Sequence, residues 1–254
     1  MSDRIRRRVF LTAIAGLAAF YLWGLGGLPG FGHYPGPYGL IINKIAVAQT
    51  NATGVVSAIN FEYRGFDTVG EEFILFIAAT GVSVVLRHLR GERERPGLEQ
   101  GIGADEPPTS DAVRQAALVF VGPVLLMGWW LASHAQTSPS GGFQGGVVLA
   151  TAFILIYLSG GLLTFRRISP VDLTDAVEAA GAAGFAAIGL AAVLMGLPFL
   201  YNYLPLGLKP GAVSSSGTIA LISFFVGVEV AAAFILMIGE MLEQTFLVRG
   251  EAAS

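Results

Sequence analysis

The sequence predicts an all-α integral membrane protein with about six transmembrane helices and one or two short helices at its outer interface. Three observations carry this. Of 254 residues, 54% are hydrophobic and only 13% charged, where a soluble domain carries about a quarter, and the mean hydropathy is +0.66. Six apolar runs, 9–28, 69–89, 113–133, 145–165, 176–200 and 217–239, reach the roughly 20 residues that a helix needs to cross about 30 Å of hydrocarbon. The basic residues also sort by side. With the N-terminus inside, the inner segments hold Arg4, Arg6, Arg7, Arg8, Arg87, Arg90, Arg93, Arg95, Arg114, Arg166, Arg167 and Arg249, and the outer ones only Lys44, Arg64 and Lys209. Both termini are therefore expected in the cytoplasm, with the chain in the inner (plasma) membrane.

The same composition closes off several kinds of chemistry. No cysteine is present, which excludes disulfides, thiolate zinc sites, iron–sulfur clusters and cysteine nucleophiles within this chain. A net charge of -3 points to no nucleic-acid partner. His33, His88 and His134 form no haem- or metal-binding pattern, and each reads as a surface or hydrogen-bonded histidine. No cofactor is expected.

The elements follow in order. The basic RIRRR at 4–8 precedes LTAIAGLAAFYLWGLGGL. That run is long, and no small-x-small site leads from it into a soluble domain, so an uncleaved first helix is expected rather than a signal peptide. The stretch 26-GGLPGFGHYPGPYG-39 reads as an ordered irregular loop with its rings at headgroup level. Within 40–67, Ile41, Ile42, Ile45, Val55, Val56 and Ile59 recur at near-helical spacing among Asn43, Lys44, Gln49 and Asn51. This fits short helices lying on the outer face or against partner subunits.

The second span opens on 61-FEYRGFDTVGEE-72. Asp67 and Thr68 suit an N-cap, Glu71 stands where a capping-box acid would, and Arg64 is placed to pair with either acid. Capping does not account for Glu72. The charged, Gly/Pro-rich 91-GERERPGLEQGIGADEPPTSD-111 reads as a cytoplasmic linker. It divides a two-helix region, 1–90, from a four-helix region, 112–254, whose first helix has capping residues in 110-SDAV-113. Pro123 and Pro198 are each expected to bend a span.

Between the third and fourth spans lies 134-HAQTSPSGGFQGG-146. It reads as a tight outer hairpin, or as a backbone left open for close approach by a neighbour. Arg166 and Arg167 anchor the inner interface, Asp172, Thr174 and Asp175 look like caps of the fifth helix, and Glu178 lies about one turn deeper. Glu229 lies 12 residues past Gly217, about 18 Å along a helix and near mid-membrane. A carboxylate there costs about 2.5–3.5 kcal/mol, so it should face protein, be paired, or be protonated. An ion or proton path and a structural hydrogen bond both remain open for it.

The run 139-PSGGFQGGVVLA-150 resembles the P-G-G-G-F-Q-G-G signature of the MnhB/MrpB family, small membrane subunits of multisubunit Mrp-type sodium/proton antiporters; Ser140 stands where the family has glycine. His134 resembles the family's preceding histidine at a longer spacing, and 225-FVGVEVAAAFILM-237 resembles its last helix. The likeness covers about 112–247. The run 62-EYRGFDTVGEEFILFIAATGV-82 is similar to the D-[FY]-R-G-[FY]-D-T-[LM]-G-E pattern of MbhE and of the C-terminal part of the large subunit of these antiporters. Glu62 stands at the aspartate position, and Glu72 at one that is usually uncharged.

The resemblance implies a fusion of two neighbouring pieces with its seam at 91–111. It implies a non-catalytic subunit that borders a sodium path among other membrane subunits, with sodium and protons as the transported ions. A membrane-arm subunit of a hydrogenase or related redox complex is the alternative. A stand-alone carrier fits less well, because no inverted repeat relates the halves. The ion-path candidates are Glu71, Glu229, Asp67, Phe143, Gln144 and His134, with Pro139, Gly141, Gly142, Gly145, Gly146 and Arg64 as structural motif. The Gly-rich break is expected to let the fourth helix pack against a partner subunit. Glu178 is expected to matter less than Glu71 and Glu229.

Overall fold

A computed structural model of the chain describes residues 3–28, 32, 36–86 and 109–253. Those residues are helical, without strands: α1 Asp3–Gly26, α2 Pro37–Thr50, α3 Val55–Ala58, a π-helical turn Ile59–Tyr63, α4 Gly65–Leu86, α5 Asp111–Ser133, α6 Gly142–Ile168, α7 Val171–Leu194 and α8 Thr218–Ala253. Six of them, α1 and α4 to α8, are long and apolar enough to cross a membrane. The chain is a multi-pass membrane protein, and the predicted short outer helices are α2 and α3. The expectations for His33, His88 and most of the 91–111 linker lie outside the described residues.

The chain divides into two compact units, Met1–Ile41 and Ile42–Ser254. In the first, α1 is an apolar helix of membrane length. In the second, α8 is the central element. Its most apolar window is 56% buried, against 17% to 33% for α4 to α7. Helix α5 pairs with α6, α6 with α8, and α8 with α7, while α4 lies against α8 and α7. Ile42, Ala46, Ala52, Ala58 and Phe61 join this core beside Phe185, Leu200, Ile222 and Val226. The segment predicted to be outer thus packs, from Ile42 on, on its own bundle.

Several local expectations are corrected. Helix α4 starts at Gly65, so Asp67 and Thr68 lie in its first turn instead of capping it. Arg64 pairs with Asp67, and the Thr68 hydroxyl donates to the Asn60 carbonyl at 2.7 Å. Helix α7 starts at Val171 with Pro170 as its N-cap residue. The fixed φ of proline sets the entry, so Asp172, Thr174 and Asp175 fall inside the helix. There Asp172 complements the helix dipole. Ser110 does cap α5, accepting from the Val113 N–H at 3.4 Å. Helix α7 stops at Leu194, so Pro198 follows the helix and does not bend it. Pro123 lies within α5. The break found inside a span is in α6 at Gly161, with φ 76 and ψ 178, a region that only glycine occupies readily.

At the end predicted to be outer, three loops interlock. Ser57 donates to the Ala135 carbonyl at 2.6 Å, Thr53 to that of Thr137 at 2.8 Å, and the Asn51 amide to those of Leu206 and Gly207 at 3.1 and 3.0 Å.

Candidate site of buried carboxylates

Helices α4 and α7 each bury one glutamate in the bundle, and α8 buries Glu229 and Glu240. On α4 the buried positions are Gly65, Thr68, Glu72, Ala79 and Ser83, a stripe of small or polar residues three, four or seven apart, which keeps them on one helix face. Glu72 is 4% exposed, while Glu71, one residue round the helix, is exposed. On α7 the stripe is Thr174, Glu178, Gly181, Phe185, Ile188 and Ala192. Glu178 belongs to this packed face. Glu229 on α8 is fully buried.

Gly181 makes the meeting of α7 and α8 possible. A Cβ there would lie 2.7 Å from both the Cβ and the backbone nitrogen of Glu229. Glu178, one turn earlier on the same face, interacts electrostatically with Glu229, and Glu229 with Glu72. Glu72 and Glu229 line a cavity of about 10 Å³ with Val69, Phe73, Ala182, Phe185 and Ala186, room for about one water molecule. Both carboxyl oxygens of Glu229 and Oε2 of Glu72 lack a hydrogen-bond partner. Among the described residues, no group of three histidine or acidic side chains converges tightly enough to hold a metal ion.

A separate charged cluster ties α6 to α8. Arg166 pairs with Glu243 and lies 3.9 Å from Glu240. Glu240 sits eleven residues along α8 from Glu229, about 16 Å away by helical rise.

The other candidates fall elsewhere. Asp67 is exposed and engaged by Arg64. His134 stacks on Trp130 at 4.9 Å, with Nδ1 3.0 Å from both the Ser133 hydroxyl and the Trp130 carbonyl, which finishes α5. Phe143 meets Phe234 edge-on at 6.5 Å, and Gln144 is exposed. Pro139 is exposed in the loop before α6, and Gly141 is the extended N-cap of that helix.

The remaining glycines bring the chain's own helices together. A Cβ at Gly142 would lie 2.2 Å from the Ser223 carbonyl oxygen, and one at Gly146 2.7 Å from that of Gly227, both on α8. One at Gly145 would lie 2.5 Å from the Ala132 nitrogen on α5.

Asn202 has no counterpart among the sequence-predicted residues. Its Oδ1 accepts from the Thr218 N–H at 2.8 Å, capping α8, and its Nδ2 donates to Glu62 at 3.1 Å. Burial pushes the Glu62 carboxyl above its usual range, and the Asn202 hydrogen bond partly offsets this. An acid whose folded pKa is raised holds its proton longer folded than unfolded, so its ionisation lowers stability as pH rises past the ordinary carboxylate range. Glu62→Gln is expected to be more thermostable relative to the native chain at neutral pH than near pH 4, read as the difference in Tm in detergent. A pH-independent difference would show that burial of the charge is not the cause.

These features define a class: a helical membrane protein whose central helices enclose ionisable groups. Residues 112–236 match the domain related to the MnhB subunit of Na+/H+ antiporter, and further relatives point the same way. The chain is 31% identical over 99 residues to the B subunit of the Na(+)/H(+) antiporter of Bacillus subtilis, covering 38% of this chain and 67% of that one. It is 28% identical over 177 residues to the A/B subunit of the probable K(+)/H(+) antiporter of Rhizobium meliloti, covering 62% of this chain but only 17% of that relative's length. The chain belongs to the MnhB-related family.

Among solved structures, a chain of the membrane-bound sulfane sulfur reductase, an archaeal respiratory membrane complex, superposes with a TM-score of 0.70 at 28% identity, covering 94% of this chain and 98% of that one. A chain of the Mrp complex from a Dietzia species shares the fold, with a TM-score of 0.69 at 22% identity, covering 93% of this chain and 26% of that one.

Proposed function

We propose that the chain is a non-catalytic subunit of a multisubunit monovalent cation/proton antiporter, built to border the ion path and to join larger membrane subunits. The observation that carries this reading is the burial of Glu72, Glu178 and Glu229 inside the bundle of an MnhB-family chain, with Glu72 and Glu229 lining one cavity. Carboxyl groups at this depth are costly unless they serve transport or are fully bonded, and both Glu229 oxygens lack bonds. Exposed Glu71 and Asp67, at the head of α4, would draw cations toward that end. Phe143, Gln144 and His134 would line the approach along the Gly-rich hairpin. The two regions 1–90 and 112–254 would be neighbouring subunits joined at the linker, with α4 docked on the second region. No cofactor enters this role.

A second reading, a membrane-arm subunit of an ion-pumping redox complex, is favoured by one observation. The superposition on the sulfane sulfur reductase chain runs nearly end to end in both proteins.

Purification in mild detergent with identification of the co-purifying chains separates the two. The antiporter reading expects membrane subunits alone. Iron–sulfur subunits would replace it with the redox reading, and a chain that purifies alone would sink both.

The inside-out order of helices is part of the same proposal. The native chain has no cysteine, so single ones report cleanly. A cysteine replacing exposed Leu208, in the α7–α8 loop, should react with an impermeant reagent from outside the cell. One replacing exposed Asp172, at the start of α7, should react only in inverted vesicles. The opposite labelling would invert the topology.

A further inference from the structure

We propose that Glu72, Glu178 and Glu229 form a proton relay, so that the ion handled at the centre of this chain is a proton and not a metal cation. The inference deepens the antiporter reading above and rests on it for its place in transport.

Three observations favour a proton. The cavity between Glu72 and Glu229 has room for about one water, and its remaining walls are Val69, Phe73, Ala182, Phe185 and Ala186. A hard cation instead demands several oxygen ligands around it, and among the described residues no three acidic or histidine side chains converge that closely. Second, Glu229 is fully buried with neither oxygen bonded, and Glu72, which lines the same space, has an unbonded oxygen of its own.

Third, among the described residues the basic side chains on the neighbouring elements lie at helix ends or are engaged by other acids. On α4 the nearest other ionisable group is Glu71, and on α7 it is Asp175, one turn before Glu178. Helix α6 carries Tyr157 and then, at its end, Arg166 and Arg167; Arg166 is engaged by Glu243 and Glu240 of α8. Helix α5 has Asp111 and Arg114 only at its start, and the π turn holds Glu62, bound to Asn202. Arg64 is engaged by Asp67.

Charges on Glu72 and Glu229 together, with Glu178 nearby, would repel strongly in a low-dielectric interior with little water to screen them. The group therefore carries fewer charges than carboxyls, and the difference is made up by protons. A proton leaving the carboxyl of one glutamate for the carboxylate of the next, directly or through a water admitted to the cavity, leaves the negative charge on the donor. No other bond changes.

The test is infrared spectroscopy of the full chain, with its co-purifying subunits, in lipid nanodiscs at neutral pH. Expected is a protonated-carboxyl band that is lost in part in Glu72→Gln and again in Glu229→Gln, and that moves to lower frequency in deuterium oxide. Glu72→Asp should restore a band at a shifted frequency. Replacing sodium by choline should leave the native band unchanged. The relay is overturned if the glutamine variants lose only ionised-carboxylate absorbance, or if sodium abolishes the band. Should a variant not assemble, carbon-13-labelled glutamate in the native chain gives the same reading: a labelled protonated-carboxyl signal supports the relay and its absence ends it. A band present without any antiporter partner would sink the antiporter reading and leave the relay standing. Partners without a band would do the reverse.

Discussion

Glu229→Gln is expected to lower ion-coupled transport in inverted vesicles by about tenfold or more, a change equivalent to about 1.4 kcal/mol in a barrier, while the complex stays assembled on a native gel. Glutamine keeps the shape and the hydrogen-bonding capacity of glutamate but cannot exchange a proton or carry charge. Glu229 is fully buried where α7 and α8 touch across Gly181, so its loss interrupts any route through Glu72 and Glu178. Glu72→Gln should follow it closely, because the two side chains share one cavity. Glu71→Gln should do less, and its effect should shrink with added salt, since an exposed charge acts through a screened field. Equal activity in all three variants, with assembly intact, would remove the carboxylates from the path. If Glu71→Gln alone were inactive, the exposed face of α4 would hold the site.

The second large effect concerns packing. Gly146→Leu is expected to lower the Tm of the detergent-solubilised chain sharply, and Gly142→Ala to lower it measurably. Overpacking a filled interface costs typically about 1–3 kcal/mol. At Gly146 the first added carbon already lies 2.7 Å from the Gly227 carbonyl oxygen and from Val230 Cβ, and at Gly142 it lies 2.2 Å from the Ser223 carbonyl oxygen. These neighbours are mainly backbone, so helices α6 and α8 must part. Gly122→Ala is the control: nothing lies within 4 Å of a Cβ there, and alanine favours helix over glycine. Unchanged stability at Gly142 and Gly146 would mean that the helices are not in contact at these residues.

The Gly-rich stretch 134–146 shows how far a motif reads without its neighbours. Its glycines announce close approach, but not of what. Only the folded bundle shows the approach to be made by the chain's own α8 and α5. The same holds for the acids. Glu71 and Glu72 are adjacent, and the family pattern draws attention to Glu71. The signal for Glu72 is nonetheless in the chain, in its register with Gly65, Thr68, Ala79 and Ser83. Glu178 is legible in the same way, in step with Gly181 and Phe185, but proximity to three polar residues that resemble caps obscures it. Asn202 has no such signal, since its partners Glu62, Ser216 and Thr218 come together only across loops.

The sequence by itself determined the number of spans, their approximate limits and the family, because apolar length against the thickness of hydrocarbon is a one-dimensional property and a motif is a local one. Helix starts were decided by local geometry at Pro170 and Gly65, and the end of α7 came before Pro198. Which carboxylates meet was decided by tertiary structure alone. A helix of this polarity has lipid-compatible residues on nearly every face, so hydropathy does not reveal the face that turns inward. That choice is made by small residues such as Gly181 and Gly146, which let helices approach until backbone touches backbone, where dispersion and packing hold them.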